Sequence, residues 1–254
     1  LTLIFDELMA LNSYSLGILC FNEAGNIGPT LQKAWDVMSS LSEDFEILVI
    51  DDGSSDGSQD EVRALLPQMP EARLIEHPQN KGIGEALHTF YGSASKDWVV
   101  YTPGDGQFDY NELRLVPQLE PGYFVSFYRI ENTTYGLFRN ILTLFNKQLN
   151  RICLGLTLKD VNWVKIYNSH DLHLLDLEVR SSLLESEISA KLFYLGRKII
   201  EIESRYLPRE HGQSKGASWN ILKKVLKDTL KLIGIVGRFR RKSRKRNRRL
   251  QVES

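Results

Sequence analysis

The residues best placed to do chemistry lie in Pro103-Gly104-Asp105-Gly106-Gln107. Asp105 and Gln107 are two apart, so in an extended segment their side chains point the same way. A carboxylate and an amide carbonyl are hard oxygen donors suited to Mg²⁺ or Mn²⁺, and two such donors leave a shell that substrate phosphates would have to complete. A second acidic pair, Asp51-Asp52, precedes Gly53-Ser54-Ser55-Asp56-Gly57. Paired acids there can accept hydrogen bonds from a base and a ribose hydroxyl, while Ser54, Ser55 and Asp56 suit the N-cap of a following helix. Arg209 and Lys215 stand in a polar loop and could close on phosphates. Several other chemistries are excluded. No Walker loop, zinc-ligand cluster or Ser/His/Asp spacing occurs, and Gly82-x-Gly84 fails as a dinucleotide fingerprint because Leu87 stands at the third glycine.

These residues fall at the ends of apolar runs. Strands are predicted at Leu16–Phe21, Glu46–Ile50, Arg73–Glu76, Trp98–Thr102, Tyr123–Tyr128, Asp160–Tyr167 and Lys198–Glu203, with helical periodicity after Ile27 and over 85–94, 111–119, 135–154, 182–195 and 219–236. Strand alternating with helix predicts an α/β fold with a mixed, mainly parallel sheet, and in such sheets ligands bind beyond the carboxyl ends of the strands. His77, before Pro78, reads as a loop residue.

The net charge of zero hides an asymmetry. Nine Lys or Arg lie between Arg238 and Arg249, against 23 basic and 31 acidic residues in 1–237. The stretch 219–236 has apolar residues on one side and Lys223, Lys224, Lys227 and Lys231 on the other, a pattern that can lie on an anionic membrane. No apolar run reaches the roughly 20 residues that span a bilayer. Cys20 and Cys153 form no disulfide framework, which points to a reducing compartment. The expected organisation is an N-terminal extension over 1–15, one catalytic domain over 16–217, an amphipathic helix over 218–237 and a disordered basic tail over 238–254. An acidic body disfavours nucleic acid as a partner.

Taken together, Phe21-Asn22-Glu23, Ile50-Asp51-Asp52-Gly53-Ser54-Ser55-Asp56-Gly57, Asn80-Lys81-Gly82-Ile83-Gly84, Gly104-Asp105-Gly106-Gln107 and Arg209-Glu210-His211-Gly212-Gln213-Ser214-Lys215 resemble the family 2 glycosyltransferases with the GT-A fold. Within that family the chain is similar to the dolichyl- and polyprenyl-phosphate mannose synthase group. The resemblance implies inverting transfer of a sugar from a nucleotide-diphosphate sugar, such as GDP-mannose or a UDP-sugar, to a polyprenyl phosphate. The enzyme would be cytoplasmic and peripheral on the cytoplasmic face of a membrane. The resemblance also implies that Phe21, Glu23, Ile50, Asp52, Gly104 and Arg129 contact the nucleotide, and that Asp105 and Gln107 hold Mg²⁺ or Mn²⁺. Arg209 and Lys215 would bind phosphate, and Glu187 would be the acidic residue on the helix before the last strand. Two positions depart from the pattern: Pro103 replaces the first Asp of the usual Asp-x-Asp, and Leu19 replaces a proline. A family member acting on a saccharide hydroxyl is the competing expectation, and it would want Glu187, Asp160 or Glu185 as a base.

Overall fold

The structure is a computed structural model that describes residues 12–130, 150–151, 154–209, 211 and 219–252, with side chains of the last segment described over 227–244. Its strands are β1 (Tyr14–Cys20), β2 (Phe45–Asp51), β3 (Ala72–Glu76), β4 (Trp98–Pro103), β5 (Tyr123–Arg129), β6 (Lys165–Asn168) and β7 (Lys198–Ser204). The helices are α1 (Ile27–Leu41), α2 (Ser58–Leu65), α3 (Ile83–Ser93), α4 (Ser169–His173), α5 (Leu184–Tyr194) and α6 (Trp219–Val252). Among the described residues the strands form one sheet in the order β3-β2-β1-β4-β6-β5-β7, in which only β6 runs antiparallel to its neighbours. The predicted α/β, mainly parallel arrangement is therefore the observed one.

Both faces of the sheet are covered, which is why its strands read as continuous apolar runs rather than alternating ones. Along β2, Ile47 and Val49 pack with Ile27, Leu31 and Met38 of α1, whereas Leu48 and Ile50 pack with Leu87 and Phe90 of α3 and Ile188 of α5. β4 ends without cost to the sheet. The Gly104 N–H donates to the Leu19 carbonyl, so alternation turns position 103 toward β6, where pairing has already stopped at Tyr101–Lys165. A proline there gives up no ladder hydrogen bond.

Three expectations need correction. β1 starts at Tyr14, inside the stretch assigned to an extension, because Tyr14 pairs with both Phe45 and Trp98. The segment 111–119 is a short 3₁₀ turn over Tyr110–Leu115. The basic tail is not separate from the preceding helix, since α6 continues to Val252. Nor is its apolar side free: Leu232, Ile235 and Val236 are buried in the α3/α5 core, Arg238 pairs with Glu178, and the Ser243 hydroxyl donates to the Tyr194 carbonyl at 2.9 Å. Ile233 is partly buried against that core, and among the described apolar side chains of the helix Leu230, 66% exposed, remains on the outside. The side chains of Trp219, Leu222 and Leu226, and most of the 135–154 segment, lie outside the described residues.

A buried packing residue and a lipid-facing one respond differently to truncation in water. Leu232→Ala is expected to lower unfolding free energy by about 2–5 kcal/mol in urea melts without lipid. An unchanged melt would return this helix face to solvent.

Candidate functional site

Because β1, β2 and β4 are parallel, the turns after all three leave the same edge of the sheet. The turn after β1 is held against the turn after β2 by side chains of the second. Asn22 N–H donates to Ser54 Oγ (2.8 Å), Glu23 N–H to Ser58 Oγ (2.9 Å) and Ala24 N–H to Asp56 Oδ2 (2.9 Å). Asp51, one of the two acids expected to meet a nucleotide, is spent inside its own turn, accepting from Gly53 N, Ser54 N and Gln59 Nε2. At Gly53 the backbone has φ +75°, and a Cβ would come within 2.5 Å of the Gln79 carbonyl carbon. Only glycine allows the β2 and β3 loops to meet this closely.

Asp52 joins those two loops. Its Oδ1 pairs with His77 Nδ1 at 2.8 Å and accepts from Lys81 N at 2.9 Å, while Oδ2 accepts from Gly82 N at 2.7 Å. His77 Nε2 in turn pairs with Thr89 Oγ1 of α3 at 2.8 Å. His77, read from sequence as a loop residue, is buried and fixes the orientation of Asp52. Beside this cluster opens a cleft of about 260 Å³ lined by Leu19, Phe21, Glu23, Asp52, Gly82, Ile83, Ala86, Tyr101 and Pro103. Phe21, Glu23 and Asp52, the three expected at a nucleotide, thus line the same cleft. Ile50 does not join them, because its side chain is sealed in the core. Gly104 sits where a Cβ would meet the Leu19 carbonyl oxygen at 2.7 Å, so the β4 turn lies tightly against β1.

The loop after β7 closes over the β4 turn. Phe108 and Tyr206 form an antiparallel bridge, and the Leu207 N–H donates to the Gln107 carbonyl at 3.0 Å. The Gln107 side chain faces this loop: its Oε1 accepts from the Tyr206 hydroxyl at 2.8 Å and its Nε2 donates to the Leu207 carbonyl at 3.4 Å. Arg209 then reaches back across the edge. One terminal nitrogen donates to Asp105 Oδ2 at 2.9 Å and to Glu23 Oε1 at 3.0 Å. Burial works against the Arg209 charge, but Asp105 and Glu23 outweigh it and hold its pKa above the ordinary arginine value. Lys215 lies outside the described residues.

Two expected site residues are engaged in structural work. Arg129, at the end of β5, forms a two-point ion pair with Asp160 (2.7 and 3.3 Å), and its guanidinium stacks 4.7 Å from the Trp163 ring and 5.5 Å from the Tyr206 ring. Glu187 is 0% exposed. Its Oε1 takes the Lys191 ammonium at 2.6 Å, and its oxygens accept from the N–H groups of Glu178 and Val179. Glu187 therefore holds the 178–179 backbone on α5.

Whether this edge suits a divalent cation depends on its donor set. Among the described residues no three His, Cys, Asp or Glu side chains converge as a cage. Asp105 is the one carboxylate in the β4 turn, its Oδ1 accepting from Gln107 N at 3.2 Å. One carboxylate fits Mg²⁺ or Mn²⁺ when ligand phosphates supply much of the shell, and does not fit a cation held by protein alone.

The chain matches the family model for Glycosyl transferase family 2 over residues 15–171, and it belongs to that family. Among its curated relatives are undecaprenyl-phosphate 4-deoxy-4-formamido-L-arabinose transferases. That of Photorhabdus laumondii is 26% identical over 235 residues, covering 88% of this chain and 71% of the relative. That of Aeromonas hydrophila is 27% identical over 236 residues, with coverage of 88% and 71%. Among solved structures, glucosyl-3-phosphoglycerate synthase from Mycobacterium tuberculosis, in complex with Mn²⁺, UDP-glucose and phosphoglyceric acid, superposes with a TM-score of 0.69 at 17% identity, covering 92% of this chain and 84% of that one. The same enzyme with Mg²⁺ and UDP gives 0.67 at 16% identity. These likenesses identify the fold as GT-A.

The placement of Glu187 yields a direct test. Glu187→Ala strands a buried Lys191 charge and should cost about 3–5 kcal/mol of stability, seen as a lower denaturation midpoint. A variant of unchanged stability would show that the Glu187–Lys191 pair does not hold the fold.

Proposed function

We propose that this chain transfers a sugar from a nucleotide-diphosphate sugar to a polyprenyl phosphate at a membrane surface, with inversion at the anomeric carbon. The observation that carries the reading is Arg209 bridging Asp105 and Glu23 at the mouth of the cleft lined by Phe21 and Asp52. The base and ribose would occupy the cleft, with Phe21 against the base and Glu23 and Asp52 as acceptors. The diphosphate would then fall at Asp105 and Arg209. A divalent cation bound by Asp105 together with the phosphates would neutralise leaving-group charge. Arg209, shifting from its two carboxylates to the diphosphate, supplies a fixed positive charge where negative charge develops. Lys215 would add a second cation to the same loop.

The acceptor reading is supported by the engagement of the candidate bases among the described residues. A neutral hydroxyl would need a carboxylate base, yet Asp160 is paired with Arg129, Glu185 with the hydroxyls of Tyr91 and Tyr167, and Glu187 with Lys191. An acceptor phosphate is already anionic and needs little such help. The names of the relatives support the same acceptor class.

Membrane contact would come from charge rather than insertion. No helix among the described residues is long and apolar enough to cross a membrane. On α6, Lys227, Lys231, Arg240, Arg241, Lys242 and Arg244 are exposed, while Leu232, Ile235 and Val236 are packed. Each cation near an anionic surface contributes on the order of 1 kcal/mol, weakened by salt.

A screen of nucleotide sugars with polyprenyl phosphate and Mn²⁺, scored by released nucleoside diphosphate, should identify one donor, and Asp105→Ala should lower that turnover by at least ~10²-fold. Near-normal turnover in a folded Asp105→Ala protein would remove Asp105 from the chemistry. Co-sedimentation with anionic liposomes should fall with rising salt and on changing Lys231, Arg241, Lys242 and Arg244 together to Glu. Binding indifferent to both would point to a soluble acceptor.

A further inference from the structure

Asn26 occupies the N-cap position of α1, where an asparagine side chain ordinarily accepts a hydrogen bond from the first helical turn. It makes no such bond. Glu61 of α2 serves that helix end instead, accepting from Gly25 N at 2.6 Å and Gly28 N at 3.2 Å. The Asn26 amide, in a residue only 6% exposed, is turned to a partner 185 positions away. Its Oδ1 accepts the His211 N–H and its Nδ2 donates to the His211 carbonyl, both at 3.1 Å. The same Nδ2 donates to Glu23 Oε2 at 3.0 Å, and the other oxygen of Glu23 holds Arg209.

A capping residue relieved of capping and committed to loop backbone has a different task. We propose that Asn26 is a positioning residue: its amide clasps the β7 loop at His211 and aims Glu23, so that Arg209 is held facing Asp105 before a ligand arrives. The part of this that concerns donor binding rests on the function proposed above, whereas the clasp itself does not. A single residue separates His211 from Arg209, so pinning His211 at one side and Tyr206–Leu207 at the other leaves Arg209 on a short, doubly anchored span. Such preorganisation lowers the ordering cost of binding. At saturating donor the phosphates would re-form the span, so the effect belongs in KM more than in kcat.

The test compares full-length protein with Asn26→Ala and Asn26→Gln by hydrogen exchange over 205–211 without ligand, by thermal melting, and by steady-state kinetics with the donor found in the screen. Asn26→Ala should lose about tenfold protection in that span, roughly one hydrogen bond's worth, and raise KM about tenfold with a smaller change in kcat. Its melting temperature should stay within about 3 °C of the parent, because Glu61 still serves the helix end. Asn26→Gln, which keeps an amide donor and acceptor, should recover part of the protection. If Asn26→Ala melts early, Asn26→Ser keeps a capping hydroxyl and takes its place. Unchanged exchange at 205–211 overturns the clasp, and loss of protection with KM unaltered overturns the positioning role. Failure of the parent protein to bind UDP or GDP with Mg²⁺ would instead overturn the proposed function, leaving the exchange result to decide the clasp.

Discussion

β1 is hydrogen-bonded along its length to parallel strands on both sides, with Tyr14 to Cys20 facing Phe45 to Asp51 across one edge and Tyr14 to Leu19 facing Trp98 to Pro103 across the other. Parallel pairing sends successive chain turns out of the same end of the sheet. The turns after Cys20, Asp51 and Pro103 therefore cannot avoid one another, and the details of the site are ways of managing that crowding. Ser54, Asp56 and Ser58 satisfy the exposed N–H groups of the first turn. Gly53 lets a third loop approach, and Gly104 lets the β4 turn lie against β1. Chemistry-bearing groups distant in sequence meet because the sheet gives them no other place to go.

Much of this was legible from residue types. The apolar runs ending in Asn22-Glu23, Asp51-Asp52 and Gly104-Asp105 marked strand, sheet edge and site together, because buried parallel strands and polar turns have opposite compositions. The described part of helix 219–236, from Lys227 on, shows the limit of that kind of reading. Its apolar stripe is a correct observation, but periodicity says only that one face avoids water, not whether it meets lipid or Leu192 and its neighbours in the core. His77 and Asn26 fail for another reason. Each sits in a turn signal that explains it locally, before a proline or at a helix start, and its long-range partner has no signature in sequence. Glu187 and Arg129 match family positions, yet the ion pairs that occupy them depend on Lys191, which no motif singled out, and on Asp160, which was read as a candidate base and not as a partner of Arg129.

The charged groups divide into two economies. Inside the protein, several charges are closely partnered: Glu187 with Lys191, Arg129 with Asp160 between aromatic rings, and Glu185 with two tyrosine hydroxyls, where burial raises the Glu185 pKa despite Lys165 and those hydroxyls opposing it. At the sheet edge, among the described residues, one guanidinium, that of Arg209, bridges Asp105 and Glu23.

Pro103 stands where its missing N–H costs the sheet nothing, at the last residue of β4 and on the wall of the cleft. Most positions that touch a ligand are also held by the fold, so changing them disturbs both. Position 103 is decoupled: the ladder asks no backbone N–H of it, while its side chain lines the cleft. Such a site can drift through many residue types without passing through an unfolded intermediate. The wall of the cleft can change there by single substitutions, while the sheet beneath stays as it was.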